Sequence, residues 1–307
     1  MVATAFHTEL AVPVAGGLLT VAVAGPGEPN DASVVLGVHG ITGSHRLLAA
    51  VARHLADREI TFVVPDLRGR GASAGLPGPY GLDAHVEDLT AVLDHCGAER
   101  AVLAGHSMGA YVVARLAAAH PERSAGVVLV DGGLSPQVPD KTDPDAVLHT
   151  ILGPALARLR MTFTSPEHYR DFWRRHPAFI HRWNADIENY VDYDLVGPLG
   201  AVRSTVVEAA VRADGRDVLD AAAAWASVVA VPEPVVLVRA PRGLVDEPTP
   251  LLPEALVKEA KRILPGMRDV LIDDTNHYLI VLGDREAAAV AAEIVRVTAY
   301  SSAGWVC

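Results

Sequence analysis

Short, unbroken apolar runs alternate with helically spaced segments over the first 130 or so residues, and few architectures accept that pattern. Ser33-Val-Val-Leu-Gly-Val-His39 reads as a strand buried on both faces, since a half-exposed strand would alternate apolar and polar residues. His45 to Arg58 follows with Leu48, Val51 and Leu55 on one helical face. Thr61 to Pro65 is a second buried strand, Val86, Leu89, Leu93 and Cys96 mark a helix, and Ala101 to Gly105 is a third strand. Gly109 to His120 is helical and stops before Pro121, and Gly126 to Val130 is strand again. Connections of a few residues between strand and helix imply a parallel sheet with helices on both faces.

The alternation stops near Gly132. From Leu134 to Pro232 no buried strand is convincing, and amphipathic stretches take over at Ala146 to Arg160, Pro166 to Arg175 and Phe179 to Tyr190. Val235 to Val238 and Val270 to Ile272 then resume the strand signal. The expected division is a core of residues 1–133 and 233–300, a helical insertion at 134–232, and a tail at 301–307 that ends in Cys307.

Composition excludes several classes. Half of the 307 residues are hydrophobic and 21% are charged, which fits a large buried core. The net charge of −11 repels phosphate backbones and anionic bilayers, so neither nucleic acid nor membrane is expected as a partner. Two cysteines are too few for a disulfide framework, and Cys96 on an apolar helix stripe reads as a buried thiol. The apolar stretch Leu10 to Gly25 lacks a basic flank and is broken by Pro13 and Gly16-Gly17, so it reads as two short strands, not a secretion signal. A cytoplasmic location is the default expectation, and self-association into homo-oligomers stays open.

Gly105-His106-Ser107-Met108-Gly109 carries the chemistry. A serine at the tip of a sharp strand-to-helix turn crowds the backbone two residues to either side, and glycine at both places removes the colliding Cβ atoms. The helix that starts there aims its dipole and free N–H groups at charge forming near Ser107. A serine hydroxyl needs a base. His277, in Asp274-Thr-Asn-His-Tyr278 just past the last strand, falls at the carboxyl edge of the sheet where Ser107 also emerges. An oxyanion hole needs two N–H groups aimed at one point, and Met108 and Ile41, in His39-Gly40-Ile41-Thr42-Gly43, are the expected donors. His39 reads as a structural hydrogen-bonding residue; no ligand cluster such as H-E-x-x-H exists, so no metal and no organic cofactor is expected.

His39-Gly40, Asp66-Leu-Arg68-Gly-Arg70-Gly71-Ala-Ser73, Gly105-His-Ser107-Met-Gly109 and Asn276-His277 together resemble the α/β-hydrolase superfamily, over Val34 to Gly132 and again Val235 to Val297. The resemblance implies a mostly parallel, eight-stranded-type sheet with helices on both faces and a helical lid at the insertion. It also makes Asp66 to Ser73 a structural turn. The family's usual place for the triad acid falls on Gly243 here. Two substitutes offer themselves: Asp131, at the end of the strand before the lid, is the first choice, and Asp246 the second. Serine at position 107 departs from haloalkane dehalogenases and epoxide hydrolases of this fold, which use aspartate there.

The insertion concentrates aromatic residues, most of which are expected to pack the lid onto the core. Trp173 and Trp183 are the two expected to face the substrate. The resulting expectation is a serine hydrolase of a carboxylic ester or lactone with a bulky, largely apolar substrate. Acyl transfer or perhydrolysis on the same residues is one rival, distinguished by adding an alcohol or peroxide acceptor. A non-catalytic small-ligand-binding homologue is the other, distinguished by failure of a fluorophosphonate to label Ser107.

Overall fold

The computed structural model describes residues 5–26, 34–136, 143–232 and 234–302. Ser33 and the tail from 303, with Cys307, lie outside the described residues. The chain opens with a hairpin of β1 (Thr8–Val14) and β2 (Gly17–Ala24). Strand and helix then alternate: β3 (Val34–Val38), α1 (Ala49–Ala56), β4 (Thr61–Pro65), α2 (Leu82–His95), β5 (Ala101–His106), α3 (Met108–Ala119) and β6 (Ser124–Val130). Before β9 come α4 (Pro144–Leu159), α5 (Pro166–Arg174), α6 (Ala185–Tyr193), the short pair β7 (Leu195–Val196) and β8 (Arg203–Ser204), α7 (Glu208–Leu219) and α8 (Ala221–Ala230). The sheet resumes with β9 (Val235–Arg239), followed by α9 (Glu254–Ile263), β10 (Arg268–Leu271), α10 (Leu279–Leu282) and α11 (Asp284–Ser302).

Eight strands form one sheet in the order β1-β2-β4-β3-β5-β6-β9-β10. The hairpin strands run antiparallel, β2 pairs antiparallel with β4, and every pair from β4 to β10 is parallel. Successive residues of the central strands feed opposite cores, as the period of two requires. Val102, Ala104, Val128 and Val130 pack with Val51 and Leu55 of α1 and Ile294 of α11. Leu103, Val127 and Leu129 pack with Leu89 of α2, Val113 of α3 and Val228 of α8. Among the described residues no helix is long and apolar enough to cross a membrane.

The strand order places the site. β3 and β5 are neighbours, yet the chain leaving β3 returns as β4 on one side and that leaving β5 returns as β6 on the other. Their carboxyl-end loops therefore diverge and leave a crevice, where ligands settle in open α/β sheets.

Several elements differ from the sequence reading. The helix expected from His45 starts as one 3-10 turn, His45–Leu48, before α1. The stretch from Phe179 is helical only from Ala185, because Asn184 caps α6 by accepting from the Ile187 amide. α8 lies against α3 in the layer that covers the sheet. β10 is an edge strand with exposed or half-buried residues throughout. The Asp66 to Ser73 segment, by contrast, is the structural turn expected of it: Asp66 accepts from the His45 amide and ring, from the Ala72 amide and from Tyr193 Oη, all at 2.7–2.9 Å. Arg68 forks onto Asp88 at 2.6 and 2.9 Å.

Candidate active site

Ser107 sits between β5 and α3 at φ 56°, ψ −122°, a backbone region that side chains rarely adopt. Close packing enforces it. A Cβ on Gly109 would lie 2.1 Å from the Val38 carbonyl oxygen, and one on Gly105 2.1 Å from the Gly109 oxygen. Gly132, which the sequence reading passed over, is a third such point: its Cβ would lie 2.2 Å from the Ser107 carbonyl oxygen. The sheet ladder continues through the turn, since the Ser107 amide donates to Val130 O at 2.9 Å and the Asp131 amide to Val238 O at 2.7 Å. Ser107 and Asp131 are thus set side by side at the ends of adjacent strands.

Asp131 is fully buried, and its Oδ2 accepts from His277 Nδ1 at 2.7 Å while Oδ1 accepts from the Ala240 amide at 3.1 Å. With Nδ1 donating to a carboxylate, the Nε2 lone pair of the neutral ring stays available for a proton. His277 is held from behind as well. His106 Nε2 donates to the His277 carbonyl at 2.8 Å, and Asn276 links Ala178 O, Asp246 and the amides that open α10. His106 is a positioning partner that the motif contained but sequence reasoning did not single out. Asp246 is occupied elsewhere. Partial burial would raise its pKa, but the Arg242 pair at 2.9 Å and a hydrogen bond from Asn276 at 3.0 Å outweigh that and keep its carboxyl below the usual range. No hydrogen bond joins Ser107 Oγ to the imidazole among the described residues; such contacts often tighten only around substrate.

The loop after β3 approaches Ser107 closely, with a Cβ on Gly40 falling 3.1 Å from Ser107 Cβ. The Ile41 and Met108 amides, the two expected donors, have no hydrogen-bond partner among the described residues. His39 braces this loop. Its Nδ1 donates to Gly40 O at 2.8 Å and its Nε2 accepts from the Leu67 amide at 3.0 Å, which requires a neutral ring. Burial lowers its pKa to about 4. The unfolded chain binds this proton near pH 6.5 and the folded chain only near 4, so stability declines as pH falls between those values and levels off below. The full span is worth about 3 kcal/mol. Urea midpoints from pH 7 to 4 should fall with a shallower slope in His39→Asn than in the parent; equal slopes would contradict this account.

Ser107, Asp131, His277, Ile41 and Met108 all line one cavity of about 260 Å³. Its walls are mainly aliphatic: Val147, Leu148, Ile151 and Leu152 come from α4, Val218 and Leu219 from α7, and Leu244 and Leu252 from the loop after β9. Ser135 and Tyr111 are polar, but their hydroxyls donate to the Val218 and Leu134 carbonyls at 2.8 Å. The aromatic lining is Tyr111, Tyr190 and Tyr278 together with His106 and His277, which corrects the expectation for the tryptophans. Trp173 is buried one layer back, under the Arg158 guanidinium at 5.0 Å and with Tyr190 and Tyr278 at 6.3 and 6.4 Å. Trp183 turns away to Arg174 at 5.3 Å and donates to Glu188 at 3.2 Å. An aromatic ring at an insertion position has more apolar neighbours to satisfy it than cavity to face.

Among the described residues, no group of three or more acidic, histidine or cysteine side chains is arranged to hold a metal ion. Lipase LipV of Mycobacterium tuberculosis is 37% identical over 133 residues, which is 42% of this chain and 50% of that protein. Epoxide hydrolase A of the same organism is 39% identical over 127 residues, covering 39% and 37%. The chain thus spans half or less of the curated relatives it matches. The crystal structure of E-2-(acetamidomethylene)succinate hydrolase superposes with a TM-score of 0.78 at 19% identity, over 94% of this chain and 99% of that one. The sequence profile described as the alpha/beta hydrolase fold matches residues 33–284, and the chain belongs to that family of hydrolases.

Proposed function

We propose that this protein hydrolyses carboxylic esters or lactones through an acyl-enzyme on Ser107. The observation that carries the reading is the buried His277–Asp131 hydrogen bond beside Ser107, facing an apolar cavity with two free amides at its edge. His277 Nε2 takes the hydroxyl proton as Oγ attacks the carbonyl carbon, and Asp131 stabilises the imidazolium. The Ile41 and Met108 amides receive the charge on the carbonyl oxygen. The tetrahedral species collapses with loss of the alcohol, which takes the proton from His277. Water then attacks the acyl carbon by the same route.

Serine also argues against epoxide opening here. A hydroxyl that opens an epoxide leaves an ether, which water cannot clear, whereas a carboxylate leaves a hydrolysable ester. In this reading the insertion at residues 134–232 carries the lid, with α4 and α7 supplying its contribution to the cavity, while α8 at the insertion's end packs onto the core of residues 1–133 and 233–300.

Aliphatic walls reward aliphatic substrates. A series of p-nitrophenyl esters from acetate upward should gain about threefold in kcat/KM per methylene until the cavity is full. Lactones with alkyl side chains should follow the same trend. A preference for acetate, or for acyl groups bearing charge, would contradict the apolar assignment.

A further inference from the structure

Three successive carbonyls of the loop after β3 are each held by a side chain. Gly40 O accepts from His39 Nδ1 at 2.8 Å, Ile41 O from Arg70 Nε at 3.0 Å and Thr42 O from Tyr190 Oη at 3.4 Å. A peptide unit is planar, with its C=O and N–H pointing in opposite directions. The Ile41 N–H belongs to the unit pinned by His39, and the next unit is pinned by Arg70, so Ile41 is fixed from both sides.

Arg70 is fully buried, and its other contacts show what holds it there. Nη1 donates to Arg68 O at 2.9 Å, and Nη2 forms an ion pair with Asp214 Oδ2 at 2.5 Å. Asp214 belongs to α7 and also accepts from the Gly81 amide at 2.8 Å and from His85 Nε2 at 3.0 Å. α7 is tied to the same turn by the Val207 amide, which donates to Gly69 O at 2.9 Å. One turn further on, Val218 and Leu219 of α7 line the cavity. The guanidinium is paired and sealed from solvent, so it has no anion to bind. Its remaining reach is to the loop.

We propose that Arg70 is a positioning residue for the Ile41 amide, held to that task by Asp214, so that the helix walling the apolar cavity also sets the anion-stabilising loop. This rests on the hydrolase reading above. It assigns a role to an arginine that the sequence placed only in a structural turn.

The test uses the full chain and the variants Arg70→Lys, Arg70→Gln and Asp214→Asn. Lysine keeps a cation beside Asp214 but, as a single point charge, cannot also occupy the Nε position, so it separates folding from positioning. Three quantities are compared: kcat and KM for p-nitrophenyl butyrate, Ki for a butyl trifluoromethyl ketone, and Ki for butanol. The ketone adds to serine and develops the oxyanion; the alcohol does not. Folded Arg70→Lys should lose about 10- to 100-fold in kcat, with KM within about threefold. The ketone Ki should rise by the same factor and the butanol Ki stay put. Asp214→Asn should move in the same direction, and adding it to Arg70→Gln should cost little more, as expected for one chain of contacts. Unchanged kcat and ketone affinity in folded Arg70→Lys would overturn the role while leaving the hydrolase reading intact. A parent protein that neither turns over esters nor reacts with a fluorophosphonate would overturn both.

Discussion

Ser107→Ala should lower kcat for p-nitrophenyl butyrate by about 10⁴- to 10⁶-fold while leaving KM within a few-fold. The size of the loss follows from what remains. Alanine keeps the cavity and both free amides, so substrate still binds and polarises, but no acyl-enzyme can form. Folding should be almost unaffected. The strained φ of 56° is imposed by the packing of Gly105, Gly109 and Gly132, and alanine tolerates it no better than serine does. Ser107→Gly should be equally inactive yet more stable by about 1 kcal/mol, because glycine adopts that region without strain. Steady-state kinetics, thermal denaturation and mass detection of a fluorophosphonate adduct check all three points. Turnover in Ser107→Ala within tenfold of the parent would remove the serine from the mechanism.

How much of this was legible in the sequence depended on how strongly burial constrained each segment. β3, β4, β5 and β6 are buried on both faces, so their sequences read as continuous apolar runs and were found to within a residue or two. β10, at the sheet edge, has only a weak run. Ser107 was legible because the glycine spacing marks a place where the backbone itself is constrained, and His277 because it follows the last strand at the carboxyl edge of the sheet. Insertion helices carried less information. α7 places Arg212, Asp214, Gly215 and Arg216 together, which breaks any apolar stripe, yet Asp214 is fully buried because Arg70 and His85 reach it from distant segments. Nothing local announces such a pairing.

Trp173 and Trp183 show the same limit from the other side. Composition located an aromatic cluster, but ring direction depends on which neighbours surround each side chain. Tyr190 and Tyr278 face the cavity while Trp173 fills the layer behind them. His106 was in plain view inside the motif; its hydrogen bond to the His277 carbonyl needed the fold to bring the carboxyl ends of the strands together.

Asp131→Asn should reduce kcat by about 10⁴-fold, and Asp246→Asn by less than tenfold. Asp131 accepts with both oxygens, from His277 Nδ1 and from the Ala240 amide. Asparagine has one acceptor oxygen, and the Ala240 amide can only donate, so the oxygen stays there and the NH₂ group faces the imidazole. The ring then carries its proton on Nε2 and cannot take the one from Ser107. The fold should survive, since residue 131 sits at φ 47°, a region asparagine occupies as readily as aspartate. Among the described residues Asp246 is linked to His277 through Asn276, whose side chain also holds Ala178 O and the amides of Tyr278 and Leu279. Losing one charge there loosens a loop that keeps its other ties. Full turnover in Asp131→Asn together with an inactive Asp246→Asn would instead place the acid in the loop after β9.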